Sequence, residues 1–474
     1  MPFAPDLRVS VPHERPVDPD GDYVLYWMVA ARRPRDSWSL DHAVAHAQAL
    51  GKPLVVFEPL RRGYQWACER FHAFVVEGMD ANRRTFEAQG VRYVSYVEPE
   101  EGDDKGLLAA LADRACLVVT DAFPTYFLPR MVASAAQGIE RRFEVVDTLG
   151  IVPLDATPKA FSRAHDFRRW IHKNVRPFLD AFPSRAPLAD YDLGRAALPD
   201  LSRWLSEEGQ QVDTAIGGPG AAELKGGHGA AAEKLSDWLG EGLQAYADGR
   251  NHPDDDAASG LSPYLHFGHL GSHGLVRAVL DRDAWSPDDL ADKPTGKREG
   301  WWGCSPEVES FLDECITWRE VGHVFAHHEP DHDQYGTLPG WARRTLDDHR
   351  DDPRHVYTLD ELDGARTDDD IWNAAQTQLV RTGVMHNYLR MLWGKKVLQW
   401  SPSPEEAVER LIHLNNAYAL DGRDPNSYSG IFWCFGRFDR AWGPERPIFG
   451  KVRYMTSDST RKKLRLKEYL DRWS

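Results

Sequence analysis

The sequence predicts an α/β domain with a doubly wound parallel sheet, followed by an all-α domain. Three observations support this fold class. Short apolar runs of strand character alternate with helix-like segments in roughly the first third of the chain. Few strand-like runs follow residue 158, and helical patterns dominate from there to the end. The length of 474 residues also exceeds the usual span of one domain.

The strand-like and helix-like segments alternate at the spacing of βαβ units. The predicted strands are residues 23–29, 53–57, 91–97, 116–121 and 143–147. The predicted helices between the first four strands are residues 36–51, 68–90 and 105–115. This alternation predicts a parallel sheet that is covered on both faces. Because the sequence has no Gly-x-Gly-x-x-Gly turn, we expect no dinucleotide cleft of that type.

Changes in composition divide the chain into four parts. They are an N-terminal arm (1–21), the α/β domain (22–157), a connector (158–230) and a helical domain (231–474). Two glycine-rich stretches, 217–220 and 226–229, lie in the connector. No Lys-Ser or Lys-Thr follows them and no strong strand precedes them, so a flexible linker is favoured over a phosphate-binding loop.

Composition and charge exclude several classes of protein. No apolar run approaches the ~18 residues of a membrane helix and the N-terminus lacks a secretory signal, so we expect a cytoplasmic protein. The five cysteines are scattered, and the four histidines between 323 and 332 lack the His-Glu-x-x-His order, so we expect no disulfide and no metal. A net charge of -16 argues against nucleic-acid binding, although the C-terminal segment, with Arg440 and Arg453, is locally basic.

One helix-like segment combines tryptophans with an arginine. Arg390, Trp393 and Trp400 fall at i, i+3 and i+10 and therefore lie near one face of a helix. A rise of about 1.5 Å per residue puts the two indoles ~10 Å apart along the axis, which allows stepwise electron transfer. Trp372 can join them only if a turn near Gly383 folds the chain back. An aromatic core without function is the alternative.

Two further segments carry candidate binding residues. Glu314 and Trp318 lie one turn apart on a predicted helix, where a carboxylate beside an indole suits a planar ligand with amide groups. An exposed carboxylate above a buried indole is the simpler interpretation. Ser259 and Ser262 precede Pro263 at a predicted helix N-terminus. The free N–H groups of such a terminus can bind phosphate, but an ordinary capped helix has the same pattern.

Several motifs together resemble the photolyase and cryptochrome flavoproteins. They are Leu-Ser-Pro-Tyr-Leu-His-Phe-Gly at 261–268, Gly-Val-Met-His-Asn-Tyr-Leu-Arg-Met at 383–391 and Asp-Gly-Arg-Asp at 421–424. A narrower resemblance is to class II cyclobutane pyrimidine dimer photolyases. It rests on Tyr-Trp-Met at 26–28, the segment 341–354, Trp-Asn-Ala-Ala-Gln at 372–376, Leu-Asp-Gly-Arg-Asp-Pro-Asn at 420–426 and Glu-Arg-Pro-Ile-Phe-Gly-Lys-Val-Arg-Tyr-Met at 445–455.

The resemblance implies an α/β antenna domain followed by a helical domain that binds FAD in a U-shape. FAD would be active as FADH⁻ and, when excited by light, would lend an electron to a flipped-out thymine dimer and so split its cyclobutane ring. The implied protein is a light-dependent DNA repair enzyme, a deoxyribodipyrimidine photo-lyase. Its partner would be UV-damaged DNA that contains pyrimidine dimers, and we expect a monomer without membrane contact.

Carried onto this sequence, the resemblance also implies the residues of the site. Tyr246, Ser259, Gly260, Leu261 and Ser262 would contact the phosphates or ribityl chain of FAD. Arg390 and Asp421 would pair beside the isoalloxazine, and Asn415 would face its N5 atom. The lesion and DNA would be held by Glu314, Trp318, Trp433, Arg440 and Arg453. Trp393, Trp372 and Trp400 would supply electrons for photoreduction of the flavin.

Two departures from the family pattern lie on the expected DNA side. Phe438 stands where the family usually has a His before Asp-x-x-Trp, and the segment after Tyr454-Met is Thr-Ser-Asp-Ser-Thr-Arg-Lys-Lys-Leu. The antenna pigment is left open between a deazaflavin, a folate and none. Two alternative functions also stay open: a cryptochrome-like blue-light photoreceptor, and a nucleic-acid-binding flavoprotein that has lost catalysis.

Overall fold

A computed structural model describes residues 2–205 and 216–474, which group into two compact units. The first, which we call the α/β unit, comprises Met1–Thr157, Phe178–Lys234 and Leu261–Arg277. The second, the helical unit, comprises Pro158–Pro177, Leu235–Gly260 and Ala278–Ser474. Both units are therefore assembled from separate stretches of the chain.

The domain bounds predicted from the sequence stay a proposal. Residues 178–234, most of the predicted connector, group with the α/β unit, as do residues 261–277 of the predicted helical domain. Met1 of the predicted arm and residues 206–215 of the predicted connector lie outside the described residues. Composition does not indicate that the connector packs against the first unit, because its contacts there are with residues distant in sequence.

One six-stranded sheet of order β1-β6-β5-β2-β3-β4 forms the centre of the α/β unit. The strands are β1 (Val9–Ser10), β2 (Tyr23–Trp27), β3 (Leu54–Leu60), β4 (Arg92–Val97), β5 (Ala115–Asp121) and β6 (Arg142–Val146). β2 to β6 pair in parallel, which confirms the predicted fold class. β1, antiparallel to β6, was not predicted, because a strand of two residues shows no periodicity.

Both faces of the sheet are buried under helices. Every residue of β2 and β5 is buried, as expected for central parallel strands. Leu25 and Val118 pack into the core on one face, and Val24 and Val119 pack into the core on the other. The alternation along each strand thus builds two separate cores, one on each side of the sheet.

Twenty α-helices were found in the described residues. They are α1 (Trp38–Leu50), α2 (Glu69–Ala88), α3 (Leu107–Ala112), α4 (Leu128–Gly138), α5 (Ala164–Asn174), α6 (Arg176–Leu179), α7 (His228–Asp237), α8 (Leu243–Gly249), α9 (Ser262–His266), α10 (Ser272–Leu280), α11 (Pro306–Leu312), α12 (Arg319–His328), α13 (Gly340–Asp348), α14 (Leu359–Asp363), α15 (Asp370–Thr382), α16 (Asn387–Trp400), α17 (Pro404–Tyr418), α18 (Pro425–Trp433), α19 (Ser457–Lys463) and α20 (Lys467–Trp473). Two π-helical turns, Trp238–Gly242 and Asp313–Trp318, lie in the helical unit. Within the described ranges, none of the helices combines the length and the apolar character needed to cross a bilayer.

The turn at Gly383 brings the predicted tryptophans together. Gly383 ends α15 with a φ of +75°, a left-handed conformation that glycine adopts without strain. Its carbonyl accepts the amide of Leu420 at 2.8 Å, which ties the turn to the end of α17. α16 then returns alongside α15, and Trp372 and Trp400 meet. The predicted reversal of the chain near Gly383 is confirmed.

α12 and α18 approach each other closely because Gly322 has no side chain. A Cβ atom on Gly322 would lie 2.7 Å from Oγ of Ser429 and 2.8 Å from the carbonyl oxygen of Pro425. Both distances are shorter than a non-bonded contact allows. Gly322 is therefore required by the packing of these two helices, although glycine is unfavourable within a helix.

Replacing Gly322 by Ala should destabilise the protein by roughly 1 to 3 kcal/mol, because the added methyl group overpacks the contact with α18. Gly430, which lies on α18 with open space around its Cβ position, is the matched control. Gly430→Ala should stabilise by up to ~1 kcal/mol, since alanine is the better helix former. Denaturant unfolding of both variants measures the difference, and equal stabilisation would contradict the close contact.

Candidate functional site

Arg390, Asn415 and Asp421 come together in the helical unit, and we call them the Arg390 cluster. Nη2 of Arg390, on α16, donates to Oδ1 of Asp421 at 2.7 Å, and Nη1 lies 3.5 Å from Oδ1 of Asn415. Asn415 is 5% exposed, whereas the Arg390 and Asp421 side chains retain 24% and 14% of their surface. The ion pair can therefore be reached by a ligand.

The turn between α17 and α18 fixes the position of Asp421. At Gly422 a Cβ atom would lie 2.8 Å from the carbonyl oxygen of Asn415, so only glycine fits. Arg423 adopts a φ of +66° and donates its backbone amide to Oδ1 of Asn416 at 2.9 Å. The Asp-Gly-Arg motif is thus explained by the backbone geometry that presents the carboxylate.

Polar atoms without partners lie in the same turn as Arg390. Both ring nitrogens of His386 are buried and make no hydrogen bond within the described ranges. The carbonyl of His386 accepts the amide of Arg390 at 3.2 Å. Burial lowers the pKa of His386 to about 4, so its ring is neutral near pH 7. A buried ring with unused donor and acceptor capacity fits a polar ligand bound beside it.

The three tryptophans predicted as an electron path are all buried in the helical unit. Nε1 of Trp372 donates to the backbone carbonyl of Trp393 at 3.1 Å, and Nε1 of Trp393 donates to Oε1 of Gln376 at 2.9 Å. The rings of Trp372 and Trp400 meet edge to face with centroids 5.6 Å apart, and Tyr357 meets Trp400 at 5.1 Å. A continuous series of contacts therefore leads from α16 to Tyr357.

Glu314 and Trp318 lie in a π-helical turn, not in the regular helix that the sequence predicted. This turn, Asp313–Trp318, joins α11 to α12. From residue 311 to 326 every residue is buried except Glu314 and Trp318, which are partly exposed. π-helical turns occur frequently at functional sites. These two side chains are the ones in this segment that a ligand can reach.

Arg250 is the partner of Glu314. Its Nη1 atom lies 2.7 Å from Oε1 of Glu314, and its guanidinium lies 5.5 Å from the centre of the Tyr246 ring. Burial raises the pKa of the Glu314 carboxyl, and the charge of Arg250 opposes that rise. Burial acts to lower the pKa of Arg250, but Glu314 and Tyr246 outweigh it and the pKa rises. Arg250 therefore stays charged, while Glu314 protonates more readily than an ordinary glutamate.

A buried ion pair anchors the π-helical turn. Arg168, on α5, donates from Nε and Nη2 to the two carboxylate oxygens of Asp313 at 2.6 and 2.9 Å. The two side chains are 8% and 4% exposed. Two parallel hydrogen bonds compensate both charges, as a buried pair requires. Because Asp313 precedes Glu314, this pair fixes the start of the turn that carries Glu314.

Trp433, at the end of α18, has two cations close to its ring. Nζ of Lys395 is 5.4 Å and the guanidinium of Arg453 is 5.6 Å from its ring centre. Lys395 is fully buried, donates to a backbone carbonyl at 2.6 Å, and has its pKa lowered by burial to about 8. The exposed Arg453 and Arg440 lie 5.0 and 4.5 Å from the centre of the Trp442 ring. Trp433, Arg440 and Arg453, three of the residues predicted to hold the lesion and DNA, thus lie close to one another through Trp442.

The remaining predicted residues have other surroundings. Tyr246 is 7% exposed and its ring meets those of Phe311 and Trp238 at 5.3 and 5.6 Å. α9 begins at Ser262 with Pro263 in its first turn, as predicted. In the segment Ser259, Gly260, Leu261 and Ser262, Gly260 has a φ of +64°. The roles of Tyr246 and of this segment in binding a cofactor stay predictions.

Phe438, one of the two departures predicted to lie near the DNA side, is buried in the core of the helical unit. It is 5% exposed, and its ring meets that of Phe325 edge to face at 5.6 Å. Its φ is +64°, and its carbonyl accepts the amide of Ala164 at 3.4 Å. The Phe that replaces the usual His of the family pattern is therefore accommodated by apolar packing within the helical unit.

Five residues of these clusters were missed by the sequence analysis: Arg250, Tyr357, Gln376, Lys395 and Trp442. For Arg250 a signal existed, because it lies one helical turn after Tyr246. Gln376 likewise lies one turn after Trp372. Tyr357 and Lys395 contact Trp400 and Trp433, which are distant in sequence, so no local pattern indicates them. Trp442 lies two positions after Arg440, which it contacts, so a local signal existed there as well.

The chain is similar to several known proteins. The deoxyribodipyrimidine photo-lyase of Methanothermobacter thermautotrophicus is 36% identical over 465 residues, which cover 96% of each chain. A bacterial class III photolyase from Agrobacterium tumefaciens superimposes with a TM-score of 0.71 at 16% identity, covering 96% of this chain and 86% of that chain. A cryptochrome from Synechocystis sp. PCC6803 gives 0.68 at 14% identity, covering 97% and 89%. No family model matches the sequence.

The fold is the one that photolyases and cryptochromes share. At 36% identity over nearly its whole length, the chain belongs to the photolyase/cryptochrome family, among the deoxyribodipyrimidine photo-lyases. The resemblance stated from sequence motifs is confirmed at the level of the family. The class within it, and the roles of individual residues, are not decided by the comparisons.

Replacing Arg250 by Met should raise the pKa of Glu314 further above 4.5, because the cation that opposes the effect of burial is removed. An infrared pH titration measures this pKa, with the carboxyl band assigned by its loss in Glu314→Gln. Arg343→Met, at an exposed position of α13, is the control and should leave the band unchanged. A Glu314 pKa equal in Arg250→Met and the parent protein would contradict the pairing.

Proposed function

We propose that this chain is a class II photolyase that uses light to split cyclobutane pyrimidine dimers in UV-damaged DNA. The observation that carries the proposal is the reachable pair of Glu314 and Arg250, beside Trp318, in a segment that is otherwise buried. The name of the archaeal relative and the class II motifs of the sequence support it. We further propose that the protein acts as a monomer.

FAD in its reduced form would supply the light-driven electron in this proposal. The Arg390 cluster fits the ring of such a cofactor, because it offers a cation, a carboxylate and an amide that are partly open. The unused nitrogens of His386 add hydrogen-bonding capacity in the same turn. Nε2 of Gln376 is likewise buried and without a partner among the described residues.

The residues of the Arg390 cluster would have distinct tasks. Arg390 would place a positive charge near a bound flavin, and a positive charge favours the anionic, reduced form. Asp421 holds the guanidinium in place through the 2.7 Å hydrogen bond. Asn415 presents a neutral amide, which donates or accepts a hydrogen bond at any pH. Together they would set the electrostatic environment of the ring without taking part in bond breaking.

Glu314 and Arg250 would recognise the two bases of the lesion. Arg250 is a donor only, and it suits the carbonyl oxygens of a pyrimidine. Glu314 accepts from a ring N–H when ionised and donates when protonated, and its raised pKa makes the second state accessible. Trp318 and Trp433 would cover the apolar cyclobutane part and exclude water. A damaged, poorly stacked base is also the least costly to flip out of DNA.

The tryptophan contacts support a role in reducing the cofactor. Trp393 lies one turn after Arg390, and Trp372, Trp400 and Tyr357 follow in contact. The N–H groups of Trp372 and Trp393 donate to a carbonyl and an amide oxygen, neither of which is basic. Electrons would therefore move along these indoles without proton transfer to a neighbouring base.

A second chromophore in the α/β unit, of deazaflavin or folate type, also remains a proposal. Ligands of parallel sheets bind beyond the carboxyl ends of the strands. The loops that follow β3 and β5 carry two stacked ring pairs, Trp66 on Tyr126 at 5.9 Å and Tyr64 on Phe127 at 5.4 Å. An absorption spectrum of the purified protein would report this pigment and the redox state of the flavin at once.

A light-dependent repair assay tests the proposed function against its rival. A cryptochrome-like receptor shares the fold and would need the flavin and the tryptophans, but not the Glu314–Arg250 pair. Reduced protein is mixed with an oligonucleotide that contains a thymine dimer, and half is kept in the dark. We expect intact thymines only under near-UV or blue light. Repair no faster in light than in the dark would contradict the proposal and favour the receptor.

Replacing Glu314 by Ala should lower the number of dimers repaired per absorbed photon by roughly two- to tenfold, the range expected for one lost hydrogen bond. Flavin content, measured by absorbance, should stay unchanged. Glu314→Gln should retain more activity, since the amide mimics the neutral carboxyl. Glu299→Ala, an exposed acidic position in the helical unit, is the control. An unchanged yield in Glu314→Ala would remove Glu314 from lesion binding.

Replacing Trp393 by Phe should abolish photoreduction of oxidised flavin by an external reductant, because phenylalanine is much harder to oxidise. Repair by enzyme that is reduced chemically beforehand should stay largely intact. Trp302→Phe is the control, since Trp302 is equally buried in the helical unit but contacts Trp285 and Trp301 instead. Normal photoreduction in Trp393→Phe would mean that electrons follow another route.

A further inference from the structure

His42, His46 and Glu144 converge in the α/β unit, and we call them the His42 cluster. The Nε2 atoms of His42 and His46 lie 2.7 and 2.9 Å from the same oxygen, Oε2 of Glu144. The three atoms lie within 4.8 Å of one another. Within the part of the chain that the structure describes, this is the one group of three or more potential metal ligands with such geometry.

The fold brings these side chains together from one helix and one strand. His42 and His46 lie four residues apart on α1, so they project from the same face. Val146 of β6 packs into the core together with Ala43 and Val44 of α1. Glu144 lies two residues before Val146 and therefore faces the same side of the sheet, towards α1.

The donor set is that of a zinc-type ion. Two imidazole nitrogens and one carboxylate oxygen are the ligands of many zinc sites, in which water takes the fourth position. Calcium and magnesium prefer oxygen ligands throughout, so two imidazoles disfavour them. Nε of Arg142 donates to Oε1 of Glu144 at 2.7 Å, which orients the carboxylate and leaves Oε2 for the ion.

The cluster is largely shielded from water. The side chains of His42, His46 and Glu144 are 7%, 15% and 5% exposed. Phe3 covers both imidazoles, with ring centroids 5.4 and 4.9 Å away. His46 is the most exposed of the three side chains.

The hydrogen bonds of His42 determine which of its ring nitrogens carries the proton, and Ala4 of the N-terminal segment makes one of these bonds. Ala4 donates its amide to Nδ1 of His42 at 3.2 Å, so a neutral His42 carries its proton on Nε2 and donates it to Glu144. A metal bound at Nε2 requires that proton on Nδ1, where it would face the N–H of Ala4. Binding of the ion and the contact with Ala4 therefore exclude each other.

We propose that His42, His46 and Glu144 bind one divalent ion of the zinc class, with water as the fourth ligand, in exchange for the contact between His42 and Ala4. The site lies in the α/β unit and needs neither flavin nor DNA. It is an exception to the expectation from sequence that the chain binds no metal. Its ligands were not recognised there, because Glu144 lies about one hundred residues from the two histidines.

Equilibrium dialysis of the full-length protein against Zn²⁺ at neutral pH, followed by metal analysis, tests the proposal. We expect one ion per chain in the parent protein. Glu144→Gln and His46→Gln should bind about tenfold more weakly or worse, since each loses a ligand. His13→Gln alters an exposed histidine of the same unit and should bind like the parent.

A second measurement distinguishes this site from adventitious binding. Amide hydrogen exchange at Ala4 should become faster when Zn²⁺ is added to the parent protein, and stay unchanged in His46→Gln. Less than one ion per chain, or equal affinity in all variants, would overturn the proposal and leave a metal-free hydrogen-bonded cluster. If Glu144→Gln fails to fold by circular dichroism, His46→Gln decides. Neither measurement uses light or DNA. A failure of the metal proposal can therefore be distinguished from a failure of the proposed function.

Discussion

The close contact between α12 and α18 is the constraint on which the helical unit depends. It exists because Gly322 admits Ser429 and the Pro425 carbonyl where any side chain would collide. α12 directly follows the turn that carries Glu314, and α18 runs from the Asp421 turn to Trp433. At about 1.5 Å per residue, the nine residues of α18 span ~13 Å. One helix thus sets the distance between the cofactor candidates and the lesion candidates.

Ion pairs within the helical unit let an acidic chain keep arginines at these sites. Arg168, Arg250 and Arg390 each pair with a carboxylate at 2.6 to 2.7 Å. The opposite charges of an ion pair largely cancel at a distance. A chain with a net charge of -16 can therefore still hold arginines at these positions. The pairs differ in burial. Arg168 with Asp313 is closed and structural, whereas the other two are partly open and can exchange their partner for a ligand.

The sequence predicted features that have a strong local signal. The five parallel strands appeared as apolar runs, and the reversal at Gly383 followed from the spacing of the tryptophans. Arg390, Asn415 and Asp421 were grouped by resemblance to a family, since no local pattern links positions on α16, on α17 and in the turn after α17. The π-helical turn has the composition of a regular helix, so the sequence pattern did not indicate the additional residue that such a turn contains. Arg250 and Glu314 are 64 positions apart, and only the folded chain brings them together.

The π-helical turn also makes this surface sensitive to chain length. Each residue of a regular helix advances by about 100°, so deleting one residue from Asp313–Trp318 would rotate Glu314 against all that follows it. Glu314 and Trp318 would then no longer be the two open positions of the segment. Insertion or deletion of a single residue in this turn would change which side chains are exposed. It would therefore alter ligand specificity more than a substitution would. Gaps in this turn are accordingly the first feature to inspect when relatives are compared for specificity.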